Sequence, residues 1–367
     1  MKNVFIEDGD VVLPYGIEKR SSVLIVSGKI AKVGRTLRAP SGFTAIKAKN
    51  FFVSPGFIDS HIHGNPGDIL ANEPRSGTTS IVLAVSCDRM DRLYEKISRA
   101  EQFAASSALG RSIIGVRLEG PYISRSYSGA QDARFIRKPD SGEVDALARR
   151  CGPLLKMITV APEIKGAAKL IKALIRNGIT PSMGHSDATY NEAVSAIAGG
   201  AKHVTHLFNG MRQMDRREGA LTLAALLDDN VTVEVIADLI HVEKAVIKLL
   251  VKIKPIDNII LITDSVRWER NSRTQRSGKV YRLKDGTIAG GSIGMIEAVA
   301  NVVKAGALDL AGAVRAASTN PARIFGVGKT KGIISAGMDA DVTIFDKNFK
   351  VAATLIKGNI VYRKRGF

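Results

Sequence analysis

Eight short apolar runs, separated by longer stretches that include helical patterning, recur through the middle of this chain, and that alternation limits the possible folds more than any other feature. The strand candidates are residues 52–58, 80–85, 113–118, 157–160, 179–183, 203–207, 231–236 and 258–262, with amphipathic segments at 91–105, 166–176, 190–198 and 242–253 between them. Repeated strand–helix alternation predicts an α/β chain folded as a (β/α)8 TIM barrel, since each parallel return needs a crossover. A doubly wound open sheet is the competing architecture. No Gly-x-Gly-x-x-Gly or Walker motif follows the first run, so only the alternation supports it.

The flanks read differently. From Val4 to Val53 short β-type runs alternate with turn signals such as Ser27-Gly28-Lys29, which predicts a meander, and the C-terminal end repeats the pattern around Lys357-Gly358-Asn359. Both termini are therefore expected to build one small β-sandwich, residues 1–53 with 332–367, around a barrel of residues 54–331. The chain's 367 residues exceed the ~250 typical of one barrel, so an accessory domain fits. Its only cysteines, Cys87 and Cys151, form no C-x-x-C pattern, and a reducing cytoplasm is the expected compartment. The opening Met1-Lys2-Asn3-Val4-Phe5-Ile6-Glu7-Asp8 meets acids before a signal-type apolar core forms, and no run reaches the ~20 residues of a membrane span. A formal charge of +18 invites a nucleic-acid reading, but aromatics are 5% and no nucleic-acid motif is present. A solvated basic surface that attracts an anionic metabolite is the plainer explanation, and residues 363–367 read as a solvated tail. Residues 266–291 form a polar excursion in which six of the sixteen positions 267–282 are Lys or Arg; it reads equally as an active-site lid or a surface loop.

Chemistry gathers where the strand candidates end. The first leads into Asp59-Ser60-His61-Ile62-His63-Gly64, the third into Glu119-Gly120-Pro121, the fifth into Gly184-His185-Ser186, the sixth carries Thr205-His206-Leu207, and the eighth leads into Thr263-Asp264-Ser265. Barrel enzymes carry their catalytic groups at this end of the strands. His-x-His on an extended segment turns both imidazoles to one side, and four of the chain's six histidines recur at such ends, which points to a divalent cation held by His61, His63, His185 and His206. His203 is read as a structural residue. Glu119 follows an apolar run, where a bare carboxylate is costly; a bridge between two cations removes that cost, and a salt bridge to Arg117 is the alternative. Asp264, after the most apolar run, is the candidate general base, with helix capping as its alternative.

These residues carry a resemblance to the N-acetylglucosamine-6-phosphate deacetylase branch of the amidohydrolase superfamily. Pro55-Gly56-Phe57-Ile58-Asp59-Ser60-His61-Ile62-His63 marks the superfamily. Leu118-Glu119-Gly120-Pro121, Gly184-His185-Ser186-Asp187-Ala188 and Thr205-His206-Leu207-Phe208-Asn209 together mark the branch, and the match runs in order over nearly the whole chain. The resemblance implies that Glu119, His185 and His206 hold the main catalytic cation, that His61 and His63 complete a second site beside Asp264, and that Asp264 is the acid/base. One or two cations per chain are implied, and nitrogen and oxygen ligands suit zinc or iron. It further implies that Asn209 and Gly210 contact a sugar phosphate, that Arg217 and His241 bind its phosphate end, and that Ala130, Gln131, Ile288, Ala289 and Gly290 line the substrate. A surface salt bridge is the alternative for Arg217. A homodimer is implied too.

Three departures stand out. Gly129-Ala130-Gln131 replaces the family's Gly-Ala-His, Asp238-Leu239-Ile240-His241 replaces Asp-Gly-Ile-His, and residues 65–77 form a shorter segment than usual. The implied reaction is hydrolysis of an acetamido group on a phosphorylated amino sugar. A cyclic-amide hydrolase such as a dihydroorotase-like enzyme is the nearest rival, yet the fourth strand ends in Val160-Ala161-Pro162-Glu163 without the lysine those enzymes use. A noncatalytic nucleic-acid-binding barrel is the rival from another class.

Overall fold

The structure, a computed structural model, describes residues 3–107, 109–268 and 273–367. Met1 and Lys2 at the opening, and residues 269–272 of the polar excursion, lie outside it. The eight expected runs appear as parallel strands in chain order: β1 (Phe57–Gly64), β2 (Thr78–Ser86), β3 (Ile113–Tyr122), β4 (Leu155–Val160), β5 (Thr180–Met183), β6 (His203–Val204), β7 (Thr232–Ile236) and β8 (Ile259–Ile262). Each pairs with the next. After Thr263 and Asp264 the chain extends β8 as Ser265–Trp268, which pairs in parallel with β1, so the twelve-stranded sheet curls until its last parallel member meets its first.

Helices cover the outer face because their apolar positions recur at helical spacing. In Ala167–Arg176, Ala167, Leu170, Ile171, Ala173 and Leu174 are buried while the lysines face outward. Thr189 starts Tyr190–Ala198 with a reciprocal capping box to Glu192. Two large apolar clusters result, one under the helices after β2, β3 and β4, the other under those from Tyr190 onward. No helix among the described residues is long and apolar enough to cross a membrane.

The first apolar run is divided where the sequence reads it as continuous. Phe52–Pro55 pairs with Val4–Leu13 and Val342–Phe345, whereas β1 begins only at Phe57. Gly56 is the joint: a β-carbon there would collide with the Thr79 side chain, so only glycine lets the backbone pass β2 this closely. Strands from both ends of the chain form one eight-stranded sheet, ordered Asn359–Arg363, Val351–Ile356, Val342–Phe345, Phe52–Pro55, Val4–Leu13, Gly16–Val26, Lys29–Gly34, with Thr44–Lys47 also on Val4–Leu13. The opening is a meander only through its first three strands; Thr44–Lys47 and Phe52–Pro55 return in parallel to Val4–Leu13. This sheet has its own core, including Val4, Ile6, Val23, Ile344 and Leu355.

Where it is described from residue 273 onward, the polar excursion is a β-ribbon rather than a loop. Thr274–Ser277 and Val280–Leu283 form a hairpin, with Gly278 at φ 62° in its turn, and Ile288–Gly291 runs back beside them. Of the residues that suggest a solvated loop, Arg276 and Lys279 are exposed and Arg282 is half-buried, while Val280 is buried. The ribbon is tied down by the short 65–77 segment: fully buried Glu73 accepts from Arg267 Nε at 3.0 Å, Trp268 Nε1 at 2.6 Å and Ser76 Oγ at 2.7 Å. Where β1 meets the extension of β8, Gly64 sits at φ 130° with the Trp268 backbone against the place of a β-carbon. Gly64→Ala should therefore destabilise the fold by about 2–3 kcal/mol, through backbone strain and a clash that no side chain can relieve. Urea unfolding with an unchanged midpoint would show that the joint tolerates a side chain.

Candidate metal centre

The strand ends converge on one point. His61 and His63 alternate along β1 and face the same side, Glu119 lies on β3, and His185, His206 and Asp264 follow β5, β6 and β8. All six are buried, with relative exposures from 0% to 9%. Their ligand atoms form two groups, His61, His63, Glu119 and Asp264 in one and Glu119, His185 and His206 in the other, so Glu119 belongs to both. Its Oε1 lies 2.9 Å from His185 Nε2 and 2.9 Å from His206 Nε2; its Oε2 lies 3.3 Å from His63 Nε2. Asp264 Oδ1 lies 3.3 Å from Nε2 of both His61 and His63.

The imidazoles are aimed by their outer nitrogens. His185 Nδ1 meets Tyr127 O at 2.8 Å, His206 Nδ1 meets Asn209 O at 3.1 Å, His63 Nδ1 meets Ser86 Oγ at 3.3 Å, and His61 Nδ1 meets Glu234 Oε2 at 3.3 Å. With each Nδ1 turned outward, each Nε2 points into the cluster, the arrangement of metal-binding histidines held by a second layer of partners. Among the described residues, His61 Nε2 is buried without a hydrogen-bond partner. A divalent cation fits this donor set: it would satisfy that nitrogen and offset two buried carboxylates. Backbone strain accompanies the arrangement, since His185, His206 and Asp264 have φ of 47°, 29° and 46°.

Burial alone pushes the Asp264 carboxyl upward, but the facing His61 and His63 outweigh it and hold the group below the usual carboxylate range. Burial also opposes ionisation of Glu119, and its bonds to His185 and His206, followed by those to His61 and His63, bring it well below that range. Both acids are therefore anionic at neutral pH.

The alternative pairing of Glu119 with Arg117 is not what the structure holds. Fully buried Arg117 pairs through Nη1 with fully buried Glu234, and through Nη2 with Thr205 Oγ1 at 2.9 Å. Glu234 also reaches His61, which makes this pair the platform beneath the centre. Sequence reasoning missed it, although a lone glutamate inside the apolar run Val231-Thr232-Val233-Glu234-Val235-Ile236 was a usable signal. His203 stands where a structural role puts it: 1% exposed, its Nδ1 2.8 Å from Ser182 Oγ, its pKa pushed by burial down to about 4.

A cavity of about 520 Å³ opens over the cluster. Ala130, Gln131, Asn209, Gly210, His241, Ile288, Ala289 and Gly290 all line it, together with His63, Glu119, His185, His206 and Asp264. His61 lies behind its wall. Arg217 is not brought there: it is exposed on the turn Asp215–Glu218, its backbone N bonded to Asp215 Oδ1 at 2.9 Å. His241 is oriented by Asp238, whose Oδ2 lies 2.6 Å from its Nδ1, and the intervening Leu239 takes φ 65° where glycine would be unstrained. Two cations that the sequence reading did not single out, Lys96 and Arg273, also line the cavity, each paired with an acid, Asp88 at 2.9 Å and Asp132 at 3.2 Å.

Comparison with known proteins agrees with this geometry. The model of the amidohydrolase family matches residues 52–361. The chain is 31% identical to the N-acetylglucosamine-6-phosphate deacetylase of Bacillus subtilis (strain 168), over 98% of each protein. It is 28% identical to the N-acetylgalactosamine-6-phosphate deacetylase of Escherichia coli O157:H7, over 83% of this chain and 86% of the relative. A mutant N-acetyl-D-glucosamine-6-phosphate deacetylase from Mycobacterium smegmatis, solved in complex with N-acetyl-D-glucosamine-6-phosphate, superposes with a TM-score of 0.90 at 28% identity, covering 98% of this chain and 100% of that one.

The Arg117–Glu234 pair sets a stability test independent of any ligand. Arg117→Met strands a buried carboxylate and should cost about 3–5 kcal/mol, whereas adding Glu234→Gln should recover part of that loss. Denaturant titration of Arg117→Met, Glu234→Gln and the double variant decides; a double variant as unstable as the sum of the two single ones would mean that the charges are not coupled.

Proposed function

The chain belongs to the amidohydrolase family and, within it, to the N-acetylglucosamine-6-phosphate deacetylases, and on that premise we propose that it hydrolyses the acetamido group of N-acetylglucosamine 6-phosphate, or of a related N-acetylhexosamine 6-phosphate, to acetate and the amino sugar phosphate. The observation that carries this reading is the sharing of Glu119 between two groups of metal-capable side chains on the floor of a cavity that also holds Asn209, Gly210 and His241. Glu119, His185 and His206 would hold one divalent cation, and His61 and His63 with Asp264 a second, zinc or iron by donor type. Such a cation lowers the pKa of a water towards ~7 and polarises the amide carbonyl.

Asp264 supplies the proton chemistry. Its carboxylate is ionised and faces the cavity, and its backbone is fixed on both sides, its N–H donating to His61 O at 2.9 Å and its carbonyl accepting from Gly291 N at 2.8 Å. It takes the proton of the attacking water and returns it to the amide nitrogen, which must leave protonated. Asn209, Gly210 and His241 bind the sugar phosphate, with Ala130 and the ribbon residues Ile288, Ala289 and Gly290 closing the other walls. Phosphate contacts supply remote binding energy that positions the amide. Arg217 is retained as a phosphate contact only on the resemblance, since its side chain stands outside the cavity. The cyclic-amide rival fits less well: Glu163 after β4 is occupied by Ser186 Oγ at 2.8 Å and Asp187 N at 2.7 Å.

The same reading takes residues 54–331 as a closed (β/α)8 barrel and residues 1–53 with 332–367 as a β-sandwich, supported by the β1 pairing of the β8 extension and by the separate core of the terminal sheet. It places a homodimer in the cytoplasm.

Two measurements test the proposal. N-acetylhexosamine 6-phosphates of both gluco and galacto configuration should be turned over at least ~10-fold better than their unphosphorylated forms, as one charge-assisted contact suffices to give that ratio, by protein that carries divalent metal on elemental analysis. Equal rates on both classes would remove the phosphate from the substrate. Asp264→Asn should lower turnover ~10²- to 10⁴-fold while fold and most metal persist; near-normal turnover with metal bound rejects the acid/base assignment, and loss of turnover in parallel with metal makes ligation, not proton transfer, the main task of Asp264.

A further inference from the structure

The family resemblance makes Gln131 a substrate contact, but both ends of its amide are engaged by the protein. Nε2 donates to Glu119 Oε2 at 2.6 Å, and Oε1 accepts from the Cys87 backbone N–H at 2.7 Å. The two contacts fix the orientation of the amide. Turned over, it would set its oxygen against a carboxylate and its NH2 against an N–H. The loop that carries Gln131 is itself tied, by Gln131 N to Ser128 O at 3.0 Å and by Arg273 Nη2 to Ala130 O at 2.9 Å.

The donor arrives on one particular oxygen. Glu119 Oε1 faces His185 and His206 at 2.9 Å, with His61 Nε2 farther off at 3.8 Å, while Oε2 faces His63 at 3.3 Å. An N–H at 2.6 Å from Oε2 occupies one of its lone pairs and draws charge from it, and Oε2 is the oxygen that faces His63. Among the described residues, no side-chain amide donates to Oε1.

We propose that Gln131 is a positioning residue that makes the two cation sites unequal: by capping Glu119 Oε2 it leaves a tight site at Glu119, His185 and His206 and a weak one at His61, His63 and Asp264. The inference rests on the metal-centre reading above but not on the identity of the substrate. A chain with an intact His-x-His can then work with one resident cation and take up the second only when that metal is plentiful.

Titration of the metal-stripped full-length protein with zinc chloride by calorimetry, and with cobalt(II) chloride by visible absorption, reads both sites without any assay of activity. Wild type should show two steps at least ~10-fold apart in affinity. Gln131→Met, which keeps length and removes the donor, should tighten the second step roughly ten- to a hundredfold, the span of one charge-assisted hydrogen bond, and leave the first within about threefold. Two equal steps in wild type overturn the proposal, as does a second step unmoved by Gln131→Met, or both steps weakened together, the result expected if Gln131 merely props the loop. The wild-type titration decides by itself if the variant does not fold. Failure of every sugar phosphate as a substrate would sink the proposed activity and leave this titration standing.

Discussion

A carboxylate at the end of an apolar strand, 4% exposed, is unstable as an anion unless donors or cations converge on it, and around Glu119 five side chains do so: His61, His63, His185, His206 and Gln131. They come from β1, from the turns after β5 and β6, and from the loop after β3. No two consecutive strands could supply them, so the centre exists only when the sheet is curled enough to bring those ends together. The demand of one buried charge is thus a demand on the whole architecture.

The supports beneath and beside the centre follow from the same demand. Arg117 and Glu234 satisfy each other in the interior and carry His61 between them and the cluster, so two buried charges become a rigid base rather than a liability. Positive φ at His185, His206 and Asp264 shows that the chain is bent away from its relaxed conformation where ligand atoms must be aimed. Such strain persists because paired strands on one side and packed helices on the other leave these turns no alternative.

The strand Ser265–Trp268, the ribbon at 274–291 and the shortened 65–77 segment are joined by named contacts. Glu73, from the segment, holds Arg267 and Trp268 at the ribbon's base, and the ribbon in turn offers Ile288, Ala289 and Gly290 to the cavity. Arg273 joins its far side to the loop that carries Gln131. Wall, floor and metal-facing amide are therefore mechanically linked, and a sequence change in any one of them reaches the others through named contacts rather than through distance.

Much of this was legible in the sequence because its signals are local. Parallel strands buried on both faces read as apolar runs, helices as spaced apolar positions, and a His-x-His or a Glu after such a run marks a strand end whatever surrounds it. Those features determined the alternating fold and five ligand candidates with Asp264. What stayed hidden depends on partners distant in the chain. The division of 52–58 at Gly56 follows from the approach of Thr79, the pairing of Arg117 with Glu234 joins residues 117 positions apart, and the two-sided use of Gln131 needs Cys87 and Glu119 at once. The ribbon was hidden by its charge, since Arg276, Lys279 and Arg282 break any apolar alternation and the strands show only in the pairing of Val280–Leu283 with Thr274–Ser277 and Ile288–Gly291. By itself the sequence determined which groups could hold a cation; the tertiary structure decided which histidines face each oxygen of Glu119 and which oxygen accepts from Gln131, because hydrogen bonds are directional over a few ångströms and only the packing of distant segments sets those directions.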